Sequence, residues 1–266
     1  MSAPTHAIQT LQLSRSFSGR PALDGLTLEV PTGSFFGFLG PNGAGKSTTI
    51  NILTGLLAPS SGSASVLGFD VASQSLDLKR RIGVVPDGLH LFERLSGEEH
   101  LRFVGEVQGL SAAEARRRAG QLLEAMDLTR DGQKLVASYS HGMRKKLALA
   151  CALIHEPQLL FLDEPFEGVD AVATRELRDL LQRLVAGGRV TVFLTSHVLE
   201  VVERLCTHVG IIAQGRLAAC GTLDELRRGA DGHARSLEEL FLDTVGAGRD
   251  DATAGLDWLT RGDVPR

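Results

Sequence analysis

The sequence has 266 residues, of which 43% are hydrophobic and 23% are charged, with a net charge of −4 at pH 7. This composition is typical of a soluble globular protein with one large domain or two small ones, and it argues against a general nucleic-acid or membrane-surface binder. The N-terminus lacks the basic and apolar regions of a signal peptide, and no run approaches 18 uncharged apolar residues, so neither a signal peptide nor a membrane span is predicted.

The first part of the chain alternates apolar and polar residues in the manner of β-strands. HAIQTLQLS and PALDGLTLEV are predicted strands joined by a turn at Ser18 and Gly19. GSFFGFLG is a continuous apolar run of strand length that ends in glycine, and KSTTINILTGLL has helical spacing. SGSASVLGF and IGVVPD each indicate one further strand.

From Ser96 the sequence indicates helices instead. Two capping boxes, Ser96 with Glu99 and Ser111 with Glu114, open predicted helices, and a third helix follows the YSHG turn. Strands and helices then alternate again from LLFLDE to VGIIAQGRLAACG, which reads as two short strands. Two more capping boxes follow, formed by Thr222 with Glu225 and by Ser236 with Glu239. We therefore predict a parallel-sheet α/β core with a helical subdomain inserted at about residues 90–155.

Cys151, Cys206 and Cys220 are widely spaced and odd in number, so we expect reduced thiols in or near the core of a cytoplasmic protein. Residues 246–266 begin with the small, polar run GAGRDDATAG, which predicts a mobile tail.

The third predicted helix carries three cations in its first turn, Arg144, Lys145 and Lys146. Because a helix N-terminus already holds partial positive charge, cations there are mildly unfavourable. Either these side chains are solvated surface charges, or an anion comes to that end of the helix.

The stretch GPNGAGKST fits the phosphate-binding pattern G-x-x-x-x-G-K-[ST] and stands between a predicted strand and a predicted helix. Its glycines let backbone N–H groups curl around phosphates, and the helix points its positive end at them. Lys46 adds a point charge, and the Ser47 hydroxyl can ligate Mg²⁺. The predicted phosphate-binding residues are Gly40, Pro41, Asn42, Gly43, Ala44, Gly45, Lys46, Ser47 and Thr48. The alternative is a glycine-rich turn with a surface lysine.

The stretch LLFLDEP places two acids after an apolar run that suits a strand buried on both faces. Asp163 would emerge at the carboxyl end of that strand, where ligands of open α/β sheets collect, and could hold Mg²⁺. Glu164 would face the attacking water and orient or deprotonate it. The alternative is a solvated turn after a strand.

Other phosphate-loop classes fit less well. A GTPase should carry an N-K-x-D base-reading motif, which this sequence lacks. A small-molecule kinase would be smaller and would need a phosphoacceptor site, which we cannot locate.

With these motifs in place, the chain resembles the nucleotide-binding subunit of an ABC transporter over about residues 5–245. The motifs occur in the family's order: Phe17 for the aromatic that stacks on adenine, Gly40 to Ser47 for the Walker A loop, Ser140 and Gly142 for the signature motif, Asp163 and Glu164 for Walker B and its catalytic glutamate, Asp170 for the D-loop, and His197 for the switch histidine.

The resemblance implies a P-loop NTPase (RecA-like) fold: a mostly parallel sheet core, an N-terminal antiparallel β subdomain and an inserted α-helical subdomain. It implies Mg²⁺-dependent ATP hydrolysis, in which Lys46, Glu164 and His197 serve catalysis. Two such domains of the family pack head to tail, so Ser140 and Gly142 of one chain would cover ATP bound to the other.

The same resemblance implies a membrane partner. The relaxed signature and the C-terminal helix SLEELFLDTVG look like the subfamily that serves an exporter-type (ABC-2-like) permease. The chain would then be cytoplasmic and peripheral at the inner face of the cell membrane. The cargo, the direction of transport and the identity of the second ATPase subunit stay open.

Three residues depart from the family's pattern. His141 replaces a glycine of the signature Leu-Ser-Gly-Gly-Gln, so that turn must tolerate a Cβ. Asp87 falls where the Q-loop glutamine is expected; its carboxylate can bind Mg²⁺ or a water but cannot donate a hydrogen bond. Phe17 keeps the aromatic ring of the usual tyrosine and loses the hydroxyl.

Two other functions are alternatives to transport. A non-transport ABC ATPase, acting on DNA or ribosomes, is opposed by the near-neutral charge and by the lack of a basic arm or a second ATPase. A non-hydrolysing ATP-binding regulator is opposed by Glu164 and His197, which match the family's hydrolytic residues.

Overall fold

Two β-sheets and the helices packed on them form the part of the chain that the computed structural model describes, residues 5–188, 190–228 and 236–246. The strands there are β1 (His6–Phe17), β2 (Arg20–Pro31), β3 (Phe35–Leu39), β4 (Ser61–Val66), β5 (Phe69–Asp70), β6 (Ile82–Val85), β7 (Leu159–Asp163), β8 (Thr191–Ser196), β9 (His208–Ala213) and β10 (Arg216–Thr222). The helices there are α1 (Lys46–Leu53), α2 (Ser75–Lys79), α3 (Gly97–Val107), α4 (Ala112–Ala125), α5 (His141–Leu153), α6 (Ala171–Ala186), α7 (Leu199–Leu205), α8 (Leu223–Arg228) and α9 (Leu237–Gly246), with a short 3₁₀ helix at Val136–Ser138.

The N-terminal sheet is antiparallel, with the strand order β2-β1-β4-β5. Its buried residues, such as Ile8 and Leu28, join one hydrophobic cluster with Ile50 of α1. The prediction of a single strand in SGSASVLGF is wrong. Leu67 and Gly68 have φ values of 52° and 81°, and this pair of positive φ values turns the chain back so that β5 pairs with β4.

The central sheet has the strand order β10-β9-β3-β8-β7-β6, and its strands run parallel except for the β9–β10 pair. Because β3, β7 and β8 lie in its middle, every residue of these strands is buried, which explains their continuous apolar runs. Phe193 packs against Phe36 and Phe161 there, and burial of each ring contributes about 1.5–3 kcal/mol. The loops after β3, β7 and β8 therefore emerge at one edge of a rigid sheet.

Three helices, α3, α4 and α5, stand between β6 and β7, and α3 packs against the other two. The Ser96 capping box is confirmed in full. At α4 only half of the predicted box forms: Ser111 accepts from the Glu114 N–H, whereas the Glu114 carboxylate binds Arg117 and Arg118 instead. The two C-terminal boxes, Thr222 with Glu225 and Ser236 with Glu239, are also confirmed.

The cysteines are free thiols, but they do not share one environment. Cys206 is buried and Cys151 is half-buried, and burial raises the pKa of the Cys151 thiol to about 12. Cys220 lies exposed on β10, so its predicted place in or near the core is wrong, because this edge strand has one solvent-facing side. The predicted mobile tail falls, beyond Gly246, outside the described residues. No helix of the described residues is long and apolar enough to cross a membrane.

Candidate active site

The glycine-rich loop between β3 and α1 borders a cavity of about 420 Å³ at the carboxyl edge of the central sheet. Two of its glycines are required by close packing. A Cβ at Gly40 would lie 2.5 Å from the Ile212 carbonyl oxygen, and one at Gly45 would lie 2.6 Å from the Ala22 carbonyl oxygen. Gly45 also has a φ of 110°, which side chains rarely adopt. The loop can therefore turn directly into the helix beside the cavity.

Helix α1 opens on this cavity without a side-chain cap. Gly45 at its N-cap offers no side-chain hydrogen bond, and the first turn holds no acidic residue. The first N–H groups of a helix need acceptors, and they carry partial positive charge. This end of α1 is therefore suited to a phosphate group.

Lys46 is folded back over the loop. Its side chain is only 7% exposed, and Nζ donates to the Gly40 carbonyl oxygen at 2.7 Å. Nζ also lies 3.3 Å from Oε1 of Glu164, which is 12% exposed. The buried ammonium thus already has an anionic partner in its own chain. The γ-phosphate of a nucleotide is also an anion and could bind the same ammonium.

Asp163 ends β7, and Glu164 follows it at the cavity. The Thr195 hydroxyl on β8 donates to Asp163 Oδ1 at 2.5 Å and accepts from the Glu164 N–H at 3.1 Å. His197 comes two residues later, and its Nδ1 lies 3.1 Å from Glu164 Oε1. Strand pairing of β7 with β8 thus brings both acids, Thr195 and His197 together.

The structure brings most of the predicted site residues to one cavity. Among its lining residues are Pro41, Asn42, Gly43, Gly45, Lys46, Ser47, Thr48, Asp87, Asp163, Glu164 and His197. Ala22 and Glu167 also line it and were not predicted, and neither was Thr195. The signal for Thr195 was present: it is a hydroxyl residue at the end of a predicted apolar strand, two positions before His197.

Six predicted residues lie outside this cavity lining: Phe17, Gly40, Ala44, Ser140, Gly142 and Asp170. Phe17, at the end of β1, is 46% exposed, and the Arg15 guanidinium lies over its ring at 4.8 Å from the centroid. Its ring is thus accessible to a planar group. Asp170 caps α6 by accepting from the Val172 and Ala173 N–H groups, and the Ala173 contact in particular lowers its pKa.

The turn before α5 is built by its own chain. Ser140 caps the helix by accepting from the Met143 N–H at 3.2 Å. His141 is the first residue of the helix and has no positive φ, so its Cβ is tolerated without strain. Its Nε2 lies 3.2 Å from the Glu167 carbonyl oxygen. The turn therefore stands against the segment that follows Glu164, and its residues do not line the cavity of the same chain.

The three cations that follow this turn each have a partner in their own chain. Arg144 forms an ion pair with Glu93 at 2.9 Å, and Lys146 forms one with Glu176 at 2.6 Å. Lys145 donates to the Glu164 carbonyl oxygen. The expectation of a solvated surface charge is wrong for Lys145, which is 3% exposed, whereas Arg144 and Lys146 form ion pairs with exposed glutamates.

The donor set at the cavity suits a hard cation. The Ser47 hydroxyl and the carboxylates of Asp87 and Asp163 supply oxygen ligands, which Mg²⁺ prefers. Within the described residues no three His, Cys, Asp or Glu side chains form a ready-made metal site. Mg²⁺ is usually held by one or two carboxylates together with phosphates and waters, so this sparse set fits it.

Comparisons with known proteins agree with this geometry. Residues 23–167 match the family model described as ABC transporter. The chain is 42% identical, over 224 residues, to the daunorubicin/doxorubicin resistance ATP-binding protein DrrA of Streptomyces peucetius, covering 84% of this chain and 68% of that protein. It is 35% identical, over 221 residues, to the bacitracin transport ATP-binding protein BcrA of Bacillus licheniformis, covering 83% and 71%. A solved structure described as the ATP binding subunit of an ABC transporter is similar with a TM-score of 0.82 and 35% identity, covering 90% of this chain and 99% of that one.

Proposed function

The chain belongs to the family of ABC transporter ATP-binding subunits, which are ATPases, and we propose that it hydrolyses Mg-ATP within a dimer that drives a separate membrane permease. One observation carries the proposal. The phosphate loop shares a single cavity with Glu164 and His197, so the groups that would bind ATP face the groups that would hydrolyse it.

The reaction is an in-line attack of water on the γ-phosphate: the bond from the water oxygen to the γ-phosphorus forms, the bond from that phosphorus to the bridging oxygen breaks, and ADP leaves. Lys46 and the N–H groups at the start of α1 bind the phosphate oxygens and stabilise the charge that develops there. When the γ-phosphate binds, it competes with the Glu164 carboxylate for the Lys46 ammonium and draws that ammonium away from Glu164. The freed carboxylate of Glu164 accepts a proton from the attacking water, and His197 contacts the γ-phosphate.

Ser47, Asp163 and Asp87 are the residues that would hold Mg²⁺, which supplies positive charge beside the phosphate oxygens when it is bound. Thr195 serves this set indirectly. Its hydroxyl donates to Asp163 Oδ1 and so leaves that carboxylate oriented towards the cavity.

A second ATP-binding subunit completes the site. Ser140 and Gly142 do not line the cavity of their own chain, and the α5 N-terminus has no acid in its first turn. We therefore assign them, with Asp170, to the nucleotide of a partner chain, as the family's head-to-tail arrangement implies. Phe17 stacks on the adenine of its own chain's ATP.

The permease is assigned from the relatives. Their printed names describe drug-resistance and bacitracin-transport ATP-binding proteins. By analogy this chain serves an exporter-type permease and lies at the inner face of the cell membrane through it. The surface around Asp87 and the helices α3 and α4 passes the motion of the dimer to that permease.

The Ser140→Arg protein is expected to bind ATP like the wild type and to lose phosphate release, because a bulky cation at that turn blocks dimer closure. Equilibrium ATP binding and steady-state phosphate release measure the two effects. The matched control is Ser111→Arg, which removes an N-cap of the same kind from α4 at a similar cost of about 1 kcal/mol. Loss of ATP binding by the Ser140→Arg protein as a monomer would show that the turn serves its own chain.

Mixing the Ser140→Arg and Lys46→Ala proteins extends this test. One composite site of the mixed dimer carries both lesions, and the other pairs an intact Lys46 with an intact Ser140. Phosphate release should therefore return, to at most about half per mixed dimer if the two sites act independently.

The Asp87→Ala protein is expected to need about 10–100-fold more Mg²⁺ for half-maximal phosphate release, because one carboxylate of the metal set is lost. Turnover at saturating Mg²⁺ should approach that of the wild type. A Mg²⁺ titration of phosphate release measures this, with Asp77→Ala, an exposed acid on α2, as the control. An unchanged titration would remove Asp87 from the metal set.

A further inference from the structure

The backbone of Glu164 is held in an uncommon conformation. Its φ is 46°, in the left-handed region that residues with a side chain seldom occupy. Such a conformation persists only where neighbouring groups fix it. In this conformation Glu164 Oε1 lies 3.3 Å from Lys46 Nζ and 3.1 Å from His197 Nδ1.

Two buried side chains hydrogen-bond to the Glu164 backbone, one at its N–H and one at its carbonyl. The Thr195 hydroxyl accepts from the Glu164 N–H at 3.1 Å, and Lys145 Nζ donates to the Glu164 carbonyl oxygen at 3.0 Å. Thr195 is 0% exposed and Lys145 is 3% exposed. The residue is thus fixed at both its N–H and its C=O by groups from two different elements, β8 and α5.

Burial of the charged Lys145 side chain is unfavourable. Burial lowers the pKa of its ammonium, and the carboxylates of Asp87 and Glu167 oppose that effect. The contact it makes is to a neutral carbonyl, at a distance of 19 residues along the chain, and it lies outside the lining of the nucleotide cavity.

We propose that Lys145 is a positioning residue for Glu164: it holds the Glu164 carbonyl so that the backbone keeps its left-handed conformation and the carboxylate faces the attacking water. The inference rests on the proposed role of Glu164 in hydrolysis. Lys145 does not line the nucleotide cavity, and its hydrogen bond to the Glu164 carbonyl is the route by which it acts on turnover.

A double-mutant cycle separates this role from a general structural one. The Lys145→Met side chain keeps an unbranched apolar stem and loses the donor. Alone, it is expected to lower kcat about 10–100-fold, with KM for ATP and monomer ATP binding within a few-fold of wild type, because a misplacement of about 1 Å at a reacting group has that effect. In the Glu164→Gln background the same substitution should cause no further loss. Lys145→Arg, which keeps a long cationic donor, should retain most of the turnover.

The control is Lys134→Met, at an exposed lysine whose partner is Asp131 and whose loss should leave kcat unchanged. An equal loss from Lys145→Met in both backgrounds, or none in the wild type, would overturn the positioning role and leave the proposed function intact. A Glu164→Gln protein as active as the wild type would overturn both. If Lys145→Met cannot be purified folded, Lys145→Gln carries the same test, since its amide is one bond too short for the 3.0 Å contact.

Discussion

The Glu164→Gln protein is expected to bind Mg-ATP and to release phosphate about 10²–10⁴-fold more slowly than the wild type, because the amide cannot accept the proton of the attacking water. The substitution keeps the size of the side chain, and Lys46 keeps its hydrogen bond to the Gly40 carbonyl oxygen, so the loop stays formed. Single-turnover phosphate release with saturating ATP isolates the chemical step from binding.

The matched control for this substitution is Glu106→Gln. Glu106 is an exposed glutamate of α3 that does not line the cavity. Its phosphate release should equal that of the wild type. If the Glu164→Gln protein released phosphate at the wild-type rate, the water-activating role of Glu164 would be refuted, whatever its effect on binding.

The Lys46→Ala protein is expected to lose about 2–5 kcal/mol of ATP binding free energy, at least about 30-fold in Kd, because the buried charge that faces the phosphates is gone. The fold should persist. Glu164 loses its cationic neighbour, but its carboxylate remains beside His197 and borders the cavity. Equilibrium binding of ATP, with the thermal unfolding midpoint measured in parallel, distinguishes lost affinity from lost structure.

Lys134→Ala is the control here, since it removes an exposed lysine that pairs with Asp131 on the helical side of the molecule. It should change neither ATP binding nor turnover. ATP binding by the Lys46→Ala protein within a few-fold of wild type would show that the GPNGAGKST loop is not the phosphate site.

The site could be predicted from the sequence because each of its main parts is a local pattern. The phosphate loop lies within nine residues, and Asp163 and Glu164 follow directly on an apolar strand. Burial of β3, β7 and β8 in one parallel sheet then forces their loops to a common edge. Local order and sheet topology together sufficed to place these residues near one another.

Contacts between distant segments were not predictable in the same way. Arg144 pairs with Glu93, which lies 51 residues away, and Lys145 reaches a backbone carbonyl that no sequence pattern marks. The turn at Leu67 and Gly68 was missed because leucine seldom occupies a positive φ. The lost half of the Ser111 box had a visible cause, since Arg117 and Arg118 stand three and four positions after Glu114 and compete for it.

The most direct test of the proposed mechanism is the mass of the Glu164→Gln protein in solution with Mg-ATP. A protein that binds ATP but hardly hydrolyses it should accumulate as a closed dimer of two 28.4 kDa chains that holds two ATP molecules, and it should return to the monomer when ATP is removed. Sedimentation velocity with a parallel count of bound nucleotide gives both numbers, and the Glu164→Gln protein that also carries Ser140→Arg should stay monomeric. A Glu164→Gln protein that binds ATP and keeps the mass of one chain would contradict a site completed by a second copy.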